Sequence, residues 1–491
     1  MARLGTLDCE RIMKRTRLSS LATRVLRSRF PDAEDPVKIW LPAKPKWNRI
    51  LPDLNILRDE LEAVKKNGGK IVLYGHDDMD GVTGIFIGLR ILRNENFHVV
   101  PIIPRRDIET YGIRPGRLKG ILEPGDLLLT VDYGCSAVEG VKWARDHGAR
   151  IVITDHHTLN PPLPESHGMV NPQVTGGPAA DLAGCGVLYG ALVHIFPKWE
   201  NDPQLLAAVA LGTVSDRVPF TEWNRYLLHC FSFIRESKLT EGLKLLMENW
   251  PCRKHAWTGA MVRQKITSTI GKGDHSGISS MIDFMSSYDA AWCSRFWEEM
   301  KLNSEERGKA LSDIVTMAIQ RKDSEADALG MVLVYMEDVP CGMGGTLASR
   351  LCKIYRRGTI VVTRREDGKL VGDTRSIGDW NMAGFLVSMR HIFSSAGGHY
   401  RAAGFSYEGT DWEELRNLLI THMTEYPTHP VPEPHVDLVL DELPDPAQFT
   451  CLAPFGPGFL PVAVKLGSMR YLLQLNNSCQ ANWCITEDSG E

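Results

Sequence analysis

The sequence predicts an α/β protein in which a doubly wound parallel-sheet domain is joined by a helical connector to a smaller α/β domain. Between residues 54 and 154, continuous apolar runs of strand length alternate with helical segments, which is typical of a parallel sheet covered on both faces. From residue 226 to residue 322 the pattern is helical, and strand-like runs resume near residue 330. The 491 residues suffice for about two to four domains with full cores.

The predicted elements begin with a basic helix over residues 8–30, which the prolines between residues 31 and 52 separate from the rest. The parallel sheet and its helices are predicted as helix 54–67, strand 70–74, helix 82–94, strands 98–103 and 126–131, helix 136–147 and strand 150–154. In the connector, Asn303 and Glu306 have the spacing of a capping box, which predicts that the last connector helix begins there. Further strands are predicted near 330–336, 359–363 and 369–374.

These elements divide the chain into five segments. They are a basic helix with a Pro-rich linker (1–53), the parallel-sheet domain (54–225), the helical connector (226–322), the smaller α/β domain (323–426) and a short C-terminal β-like segment (427–491). Prolines at 427, 430, 432 and 434 mark the last boundary. The tail alternates like short strands and is predicted to form a small β module.

The formal net charge is −4, from 56 basic and 60 acidic residues, and taken alone it argues against a protein that binds nucleic acid. The average hides an asymmetry, because residues 1–50 hold twelve Lys or Arg against five Asp or Glu, whereas residues 431–491 hold two against eight. The basic helix is therefore a candidate path for a nucleic-acid strand. A packed or solvated helix is the alternative interpretation.

Membrane and secretory signals are not found in the sequence. Apolar runs reach about ten residues, which is shorter than the roughly 18 needed to span a bilayer. The first 30 residues contain no apolar core of a signal peptide, so we expect a cytoplasmic protein without membrane association. The eleven cysteines include no C-x-x-C pair and give no pattern for a cysteine-based zinc site.

Polar side chains that can bind metal follow three of the predicted parallel strands. They are found in the segments His76-Asp77-Asp78-Met79-Asp80-Gly81, Val131-Asp132-Tyr133-Gly134 and Asp155-His156-His157. A fourth candidate, Asp216, follows an apolar helix. Because open α/β sheets bind ligands at the carboxyl ends of their strands, we expect these side chains to converge on one edge. A turn would explain Asp80-Gly81 alone, but turns and caps do not explain all the segments together.

Carboxylates and imidazoles from several elements can hold two divalent ions close together. Such a pair of ions stabilises both the attacking and the leaving oxygen of an in-line phosphoryl displacement and makes water a competent nucleophile at neutral pH. So many acids in one place repel one another and need a counter-charge. Oxygen and imidazole ligands without thiolates favour Mn²⁺ or Mg²⁺, so two ions of this kind are the predicted cofactors.

The motifs resemble those of the DHH phosphoesterases, whose name stands here as Asp155-His156-His157. The resemblance implies six metal ligands: His76, Asp78, Asp80, Asp132, His156 and Asp216. It further implies a catalytic set of Asp132, His156, His157 and Asp155, in which His157 positions the phosphate and Asp155 orients a histidine. His76 stands where bacterial relatives usually have Asp, and imidazole remains a competent ligand.

A second stretch resembles the associated DHHA1 domain, through its glycine-rich motif Gly397-Gly398-His399-Tyr400-Arg401. The resemblance implies that this motif and the pair Arg375-Ser376 bind the phosphate beyond the scissile bond, which glycine amides and a bidentate guanidinium suit. The implied substrate-binding residues are Arg106, Arg375, Ser376, Gly397, Gly398, His399 and Arg401.

Two further stretches resemble RecJ-type single-strand exonucleases, and the likeness extends over about residues 50 to 465. They are Arg106 with Tyr111-Gly112-Ile113-Arg114, and Leu452-Ala453-Pro454-Phe455-Gly456-Pro457-Gly458. Two departures stand out. The stretch from Lys265 to Lys272 matches the family's Arg- and Asn-containing motif only loosely, and the tail is too short for a whole OB barrel. A strand-binding platform in the tail is therefore expected to be reduced or missing.

The resemblance implies a metal-dependent phosphodiesterase: an exonuclease that degrades single-stranded DNA from the 5′ end to mononucleotides. Single-stranded nucleic acid is the implied partner, with DNA favoured over RNA, and replication or repair proteins are candidate partners in DNA repair and recombination. One alternative is a DHH phosphodiesterase of the nanoRNase or pAp-phosphatase type, which degrades RNA or short oligonucleotides. Another is a non-catalytic replication scaffold. Every expected ligand position is filled, which argues against the scaffold.

Overall fold

In a computed structural model, the described residues are 18–104, 113–159, 161–253, 256–270, 275–428, 435–476 and 480–486. The chain divides into two compact units, one made of Met1–Ser304 with His435–Glu491 and the other of Glu305–Pro434. The five segments predicted from the sequence are thus grouped into two. No helix among the described ranges is both long and apolar enough to cross a membrane.

The first unit is organised around a five-stranded parallel sheet with the strand order β2-β1-β3-β4-β5. The strands are β1 (Ile71–Gly75), β2 (Val99–Ile102), β3 (Leu127–Val131), β4 (Arg150–Thr154) and β5 (Gly168–Val170). The direction in which the strand order proceeds reverses between β1 and β3. This is the position at which doubly wound sheets of this order bind ligands.

Helices cover both faces of this sheet, as the unbroken apolar strands predict. The α-helices that begin in the first unit are α1 (Ser20–Arg29), α2 (Pro36–Trp40), α3 (Trp47–Ile50), α4 (Leu54–Lys66), α5 (Met79–Asn94), α6 (Pro115–Leu118), α7 (Val138–Asp146), α8 (Gly184–Ile195), α9 (Pro203–Asp216), α10 (Glu222–Ser232), α11 (Glu241–Glu248), α12 (Gly259–Val262), α13 (Ser268–Ile270), α14 (His275–Ser286) and α15 (Ala290–Gln320). On one face, Leu73 and Leu129 lie in a core with residues of α5, α8 and α9. On the other face, Leu128 and Ile151 pack with Val141 of α7. The predicted doubly wound domain is confirmed.

The C-terminal tail belongs to this same unit. It forms a four-stranded sheet in the order β11-β12-β13-β14, with β11 (Leu438–Val439), β12 (Ala463–Leu466), β13 (Met469–Leu475) and β14 (Ala481–Thr486). Arg29 of α1 donates from Nε and Nη2 to the buried carboxylate of Asp437, at 2.7 and 2.8 Å. The described part of the basic N-terminal helix is therefore a packed helix, with Val25 and Leu26 fully buried. Residues 8–17 of the predicted helix lie outside the described residues.

The stretch Leu452 to Gly458 is attached to α10 by the buried side chain of Arg225. This guanidinium donates to the carbonyls of Leu452, Ala453 and Pro454, and it lies over the rings of Trp40 and Phe459. Burial and the charge of Arg29 lower the pKa of Arg225. Arg225 therefore satisfies carbonyls of the loop and ties the tail to the parallel-sheet domain.

The second unit contains a five-stranded sheet in the order β6-β7-β8-β10-β9. Its strands are β6 (Val332–Met336), β7 (Thr359–Arg364), β8 (Leu370–Arg375), β9 (Ser395–His399) and β10 (Ala402–Tyr407), and its further α-helices are α16 (Ser324–Ala328), α17 (Cys341–Tyr355), α18 (Met382–Ser388) and α19 (Trp412–Glu425). Only β6 and β7 pair in parallel, and the other pairs are antiparallel. The smaller α/β domain predicted from the sequence is confirmed.

Two local predictions differ from the structure. The helix boundary at Asn303 is wrong, because α15 runs unbroken from Ala290 to Gln320. Buried Trp297 and Met300 precede Asn303 on that helix, and buried Leu311 follows it, so packing on both sides outweighs the local capping signal. The helix predicted from residue 82 begins at Met79, because the Asp78 side chain caps it by accepting from the amides of Asp80 and Gly81.

Candidate metal centre

Three strands of the parallel sheet deliver polar side chains to the carboxyl edge. His76 follows β1, Asp132 follows β3, and Asp155 follows β4. Since β1, β3 and β4 are neighbours in the sheet, these positions converge at the point where the strand order reverses. The edge that the sequence predicted is therefore the edge that the fold builds.

The turn after β1 is fixed by its first motif. Asp78 caps α5, and Asp80 lies in the first turn of that helix. A Cβ atom at Gly81 would lie 2.5 Å from the backbone nitrogen and oxygen of His76, so only glycine allows the turn to close this tightly. The Asp-Gly pair is a turn residue and part of the site at the same time.

The carboxylate of Asp80 is held from the far side by the first turn of α8. Its Oδ2 accepts from the amide of Gly184 at 2.7 Å, and its Oδ1 accepts from the amide of Cys185 at 2.9 Å. A helix N-terminus offers unpaired amides and a partial positive charge, both of which favour a carboxylate. Asp80 is thus fixed in its ionised form without using its remaining lone pairs.

Asp132 has an unusual backbone conformation for a residue with a side chain. Its φ angle is 56°, in the left-handed region that glycine adopts freely. A Cβ atom at Gly184 would lie 2.5 Å from the Cβ atom of Asp132, so α8 approaches the strand end as closely as a glycine permits. The strained turn aims a fully buried carboxylate into the centre of the cluster.

The Asp155-His156-His157 segment forms a compact turn around its own aspartate. Oδ1 of Asp155 accepts from the amides of His156 and His157 and lies 2.7 Å from Nδ1 of His157, while Oδ2 accepts from the amide of Cys135. The carbonyls of the two histidines accept from Gln173 and Asn171 respectively. Asp155 therefore orients His157 rather than facing the cluster, as the sequence predicts.

The side chains form three overlapping groups whose donor atoms lie within 4.8 Å of one another, and each group could hold a metal ion. The groups are His76 with Asp78 and Asp132, Asp80 with His156 and Asp216, and Asp132 with His156 and His157. Nδ1 of His76 lies 2.9 Å from Oδ2 of Asp78. Nε2 of His156 lies 3.2 Å from Oδ1 of Asp132 and 3.6 Å from Oδ2 of Asp216. Asp132 therefore stands between the first two groups.

The electrostatics show that the cluster is short of positive charge. Burial raises the pKa of Asp132, and the charges of Asp80 and Asp78 raise it further. Burial also raises the pKa of Asp216, to about 6. Burial lowers the pKa of His156, but the charges of Asp216 and Asp80 outweigh it and raise the value. Buried acids and imidazoles that all favour protonation are typical of a site that a metal cation would neutralise.

His157 differs from the other imidazoles because it has a hydrogen-bonded carboxylate of its own. Burial lowers its pKa, yet the hydrogen bond to Asp155 and the charge of Asp155 raise it to about 9. For Asp155 itself, burial is outweighed by the hydrogen bond and the charge of His157, and the pKa lies well below its ordinary value. The two residues form an ion pair beside the cluster.

The donor set fits divalent ions that prefer oxygen and imidazole ligands. Four carboxylates and two imidazoles face one another, and no thiolate is among the donors of the three groups. Nε2 of His156 is buried and has no hydrogen-bond partner among the described residues, which suits an atom meant to bind a cation. All six residues predicted as ligands are brought together by the fold.

The substrate-binding residues predicted in the second unit lie at one end of its sheet. In the register, Ala402 pairs with Arg375 of β8 on one side and with His399 of β9 on the other, which puts these three in one row. Gly397 and Gly398 are exposed on β9, the edge strand, and Arg401 is exposed in the turn before β10. The side chain of His399 lies outside the described residues, as does the whole of Arg106.

Ser376 has a set of partners within its own turn. Its hydroxyl donates to Asp379 at 2.9 Å and accepts from the amides of Gly378 and Trp380. The hydroxyl thus stabilises the turn after β8. Arg375 donates from Nε to Ser349 at 3.1 Å and from Nη1 to the carbonyl of Thr374. The binding roles of both residues stay predictions.

The sequence analysis missed the residues that hold the ligands in place. Gly184 and Cys185 fix Asp80 from 104 positions away or more, and Asn171 and Gln173 fix the histidine turn. Two small residues at the start of an apolar helix, and the Asn-Pro-Gln sequence before it, were the available signals. Neither shows which carboxylate or carbonyl it serves, because those partners are distant in sequence.

The geometry defines a member of the DHH class. Residues 70–213 match the DHH family, N-terminal domain, and residues 329–425 match the DHHA1 domain. The chain therefore contains a DHH-family domain followed by a DHHA1 domain, and the resemblance found in the sequence is confirmed.

The relatives it resembles are RecJ proteins. The chain is 29% identical over 419 residues to the single-stranded-DNA-specific exonuclease RecJ of Bacillus subtilis, covering 81% of this chain and 52% of that protein. It is 28% identical over 410 residues to the RecJ exonuclease of Thermus thermophilus, covering 81% of this chain and 59% of that protein. The chain thus spans little more than half the length of these two relatives.

Solved structures give the same picture of the fold. The crystal structure of RecJ from Thermus thermophilus in complex with Mn²⁺ matches with a TM-score of 0.76 at 21% identity, covering 98% of this chain and 72% of that one. A crystal structure of exonuclease RecJ bound to manganese matches with a TM-score of 0.64 at 25% identity, covering 77% of this chain and 96% of that one. The predicted fold class is confirmed by these likenesses.

Proposed function

We propose that this protein is a metal-dependent exonuclease that hydrolyses single-stranded DNA from the 5′ end to mononucleotides. The observation that carries the proposal is the convergence of six carboxylate and imidazole ligands, in groups no wider than 4.8 Å, at the reversal point of a parallel sheet. The likeness to single-stranded-DNA-specific exonucleases supports the choice of substrate. A cytoplasmic location and a role in DNA repair and recombination, with replication or repair proteins as partners, are part of the proposal.

Two Mn²⁺ or Mg²⁺ ions are the proposed cofactors. His76, Asp78 and Asp132 would hold one ion, and Asp80, His156 and Asp216 would hold the other, with Asp132 between them. Ions of this kind, when bound, polarise the phosphoryl oxygens and activate water for in-line attack on phosphorus. The relatives' crystal structures with Mn²⁺ and Mg²⁺ support this assignment.

The chain's own groups contribute positioning and charge. Asp80, held by two amides, and Asp132, held by its strained turn, keep their carboxylates fixed at the centre of the ligand set, so no reorganisation is needed when charge develops. Asp155 engages Nδ1 of His157, which leaves Nε2 for a phosphate oxygen. In the second unit, the exposed amides of Gly397 and Gly398 and the side chains of Arg375 and Arg401 are the proposed ligands of a substrate phosphate.

The test measures nucleotide release from end-labelled single-stranded DNA, RNA and dinucleotides in Mn²⁺. We expect wild-type protein to release a 5′ label at once as a mononucleotide and a 3′ label only late. Asp132→Ala is expected to abolish release. Asp146→Ala removes an exposed aspartate on α7 that pairs only with Lys142 at 2.6 Å, and it is expected to leave release unchanged.

Each other outcome rejects a stated part of the proposal. Release that persists in Asp132→Ala, or no release from any substrate, would reject the catalytic assignment. The second of these would favour a scaffold. Cleavage confined to RNA or dinucleotides would favour the short-oligonucleotide alternative, and early release of a 3′ label would reject the polarity.

A further inference from the structure

Two arginines lie beside the metal-ligand set and are not part of it. Arg217 directly follows Asp216, has a φ angle of 66°, ends α9 and is exposed. Arg263 begins a π-helical turn (Arg263–Thr267) and is half-buried. Its Nη1 donates to the carbonyl of Val214 at 3.1 Å, so it lies against the same end of α9. We refer to Arg217 and Arg263 as the arginine pair.

The arginine pair concentrates positive charge without a neutralising acid. The two groups are close enough that the charge of Arg217, after burial, lowers the pKa of Arg263 to about 10. Throughout the described ranges, neither arginine has a carboxylate within 4.0 Å, although most other buried or half-buried arginines of this unit do or bind several carbonyls. Like charges brought together in this way are costly unless an anion joins them.

The arginine pair is attached firmly to the helix that carries Asp216. Ser215 and Thr267 are joined by a hydrogen bond of 2.9 Å between their hydroxyls. A Cβ atom at Gly259 would lie 2.9 Å from Nη1 of Arg263, so the guanidinium is confined on that side as well. A group held in place before its ligand arrives loses little entropy on binding.

The arginine pair does not serve as the counter-charge of the ligand set. The charges that act most on the Asp216 carboxylate belong to His156, Asp80, Asp78 and His157, and neither arginine is among them. The arginines therefore lie next to the ligands but farther from the Asp216 carboxylate than the histidines do. An anion bound by them would not be the group held at the centre of the cluster.

We propose that Arg217 and Arg263 form a phosphate subsite that binds a phosphodiester next to the scissile one on the substrate strand. The proposal rests on the proposed function, because that function supplies the strand. Two guanidiniums present several N–H donors to one phosphate and bind it in bidentate fashion. This subsite explains how a chain with a net charge of −4 engages a polyanion locally.

The experiment compares Arg217→Gln, Arg263→Gln and Arg263→Lys with wild type in Mn²⁺, using single-stranded oligodeoxynucleotides. Each Gln variant is expected to raise KM about tenfold while kcat changes little, since a charge-assisted contact is lost from binding. The slope of log KM against log salt is expected to fall by about 0.7 for each contact removed. Arg263→Lys should recover part of the loss because it keeps charge but not the bidentate geometry.

A second arm replaces one phosphodiester at a time with an uncharged methylphosphonate, beginning at the second linkage. At one linkage the replacement should raise KM for wild type to the level of Arg263→Gln and have no further effect on that variant. Lys66→Gln removes an exposed positive charge at the end of α4 and is the matched control, expected to behave as wild type at every linkage.

The outcomes separate this proposal from the one on which it rests. Wild-type release of nucleotides with Gln variants indistinguishable from Lys66→Gln would overturn the subsite alone. Variants that lose activity equally at every linkage, with an unchanged salt slope, would show a structural role and also overturn it. An absence of release by folded wild-type protein would reject the proposed function and the subsite together.

Discussion

Buried charge is treated in opposite ways in two regions of the first unit. Around the C-terminal sheet, Asp437 accepts two hydrogen bonds from Arg29 and one from the amide of Ala463, and although burial raises its pKa, Arg29 holds the value below the ordinary one. At the carboxyl edge of the parallel sheet, burial and neighbouring acids raise the pKa of Asp132. Neutralised charge is structural here, and charge left without a counter-ion indicates a site.

The largest effect should come from removing a central carboxylate. Asp132→Asn is expected to lower the rate of Mn²⁺-dependent nucleotide release on the order of 10³-fold, since a fixed charge at the reacting centre is lost. The same change should stabilise the metal-free protein by about 1 kcal/mol, because an ionised group that burial disfavours becomes neutral. Activity assays and thermal unfolding in EDTA measure the two effects. A variant that is inactive and less stable than wild type without metal would break the comparison.

The structural region should respond in the opposite sense. Arg29→Met removes one partner of a pair whose side chains are 8% and 0% exposed, and it is expected to cost about 3 kcal/mol of unfolding free energy. Lys142→Met breaks an exposed pair, with side chains 72% and 57% exposed, and should change stability by less than about 0.5 kcal/mol. Denaturant unfolding compares the two variants. Equal losses would show that burial does not set the value of these pairs.

A smaller effect is expected from the contact that places Asp132. Gly184→Ala would put a methyl group 2.5 Å from the Cβ atom of Asp132 and displace its carboxylate. The Mn²⁺ concentration for half-maximal activity should rise about 10- to 100-fold, as when groups that orient metal ligands are altered. Gly186→Ala is the control on the same helix, since its methyl group would meet Leu182 at an ordinary 3.6 Å. Matching metal titrations for the two variants would contradict the role given to Gly184.

The smallest effect concerns pH and the structural region. Burial and the charge of Arg225 lower the pKa of His229 to about 3, from an ordinary value near 6.5. Between these values the unfolded chain binds a proton that the native protein does not, so stability falls as pH falls through 6.5 and continues to fall towards 3. From pH 6 to pH 5, wild type should lose about 1 kcal/mol more than His229→Phe. Parallel unfolding curves for the two proteins across this range would refute the assignment.

The sequence predicted the ligands and the sheet well for a physical reason. Strands β1, β3 and β4 are fully buried and read as unbroken apolar runs, and the polar residues that follow them stand out against that background. Strand β5 has only three residues and gives too short a run to recognise. The carboxyl edge could therefore be predicted before the whole sheet could.

What the sequence could not give was the set of long-range partners. Asn303 has a good local capping signal, and the helix continues through it because packing on either side prevails. Arg225 could not be recognised as the group that holds the Leu452 to Pro454 carbonyls, since a buried arginine looks like any other arginine in a sequence. The arginine pair likewise exists only because a π-helical turn meets the end of α9.

The pair between Arg29 and Asp437 also sets an order of events during synthesis. The two residues are 408 positions apart, and at about 5 to 20 residues per second a ribosome needs roughly 20 to 80 s to pass from one to the other. During this time helix α1 has emerged with Ala22, Val25 and Leu26 uncovered. The carboxyl edge, whose ligands lie between His76 and Asp216, can assemble long before the first helix of the chain meets its partner.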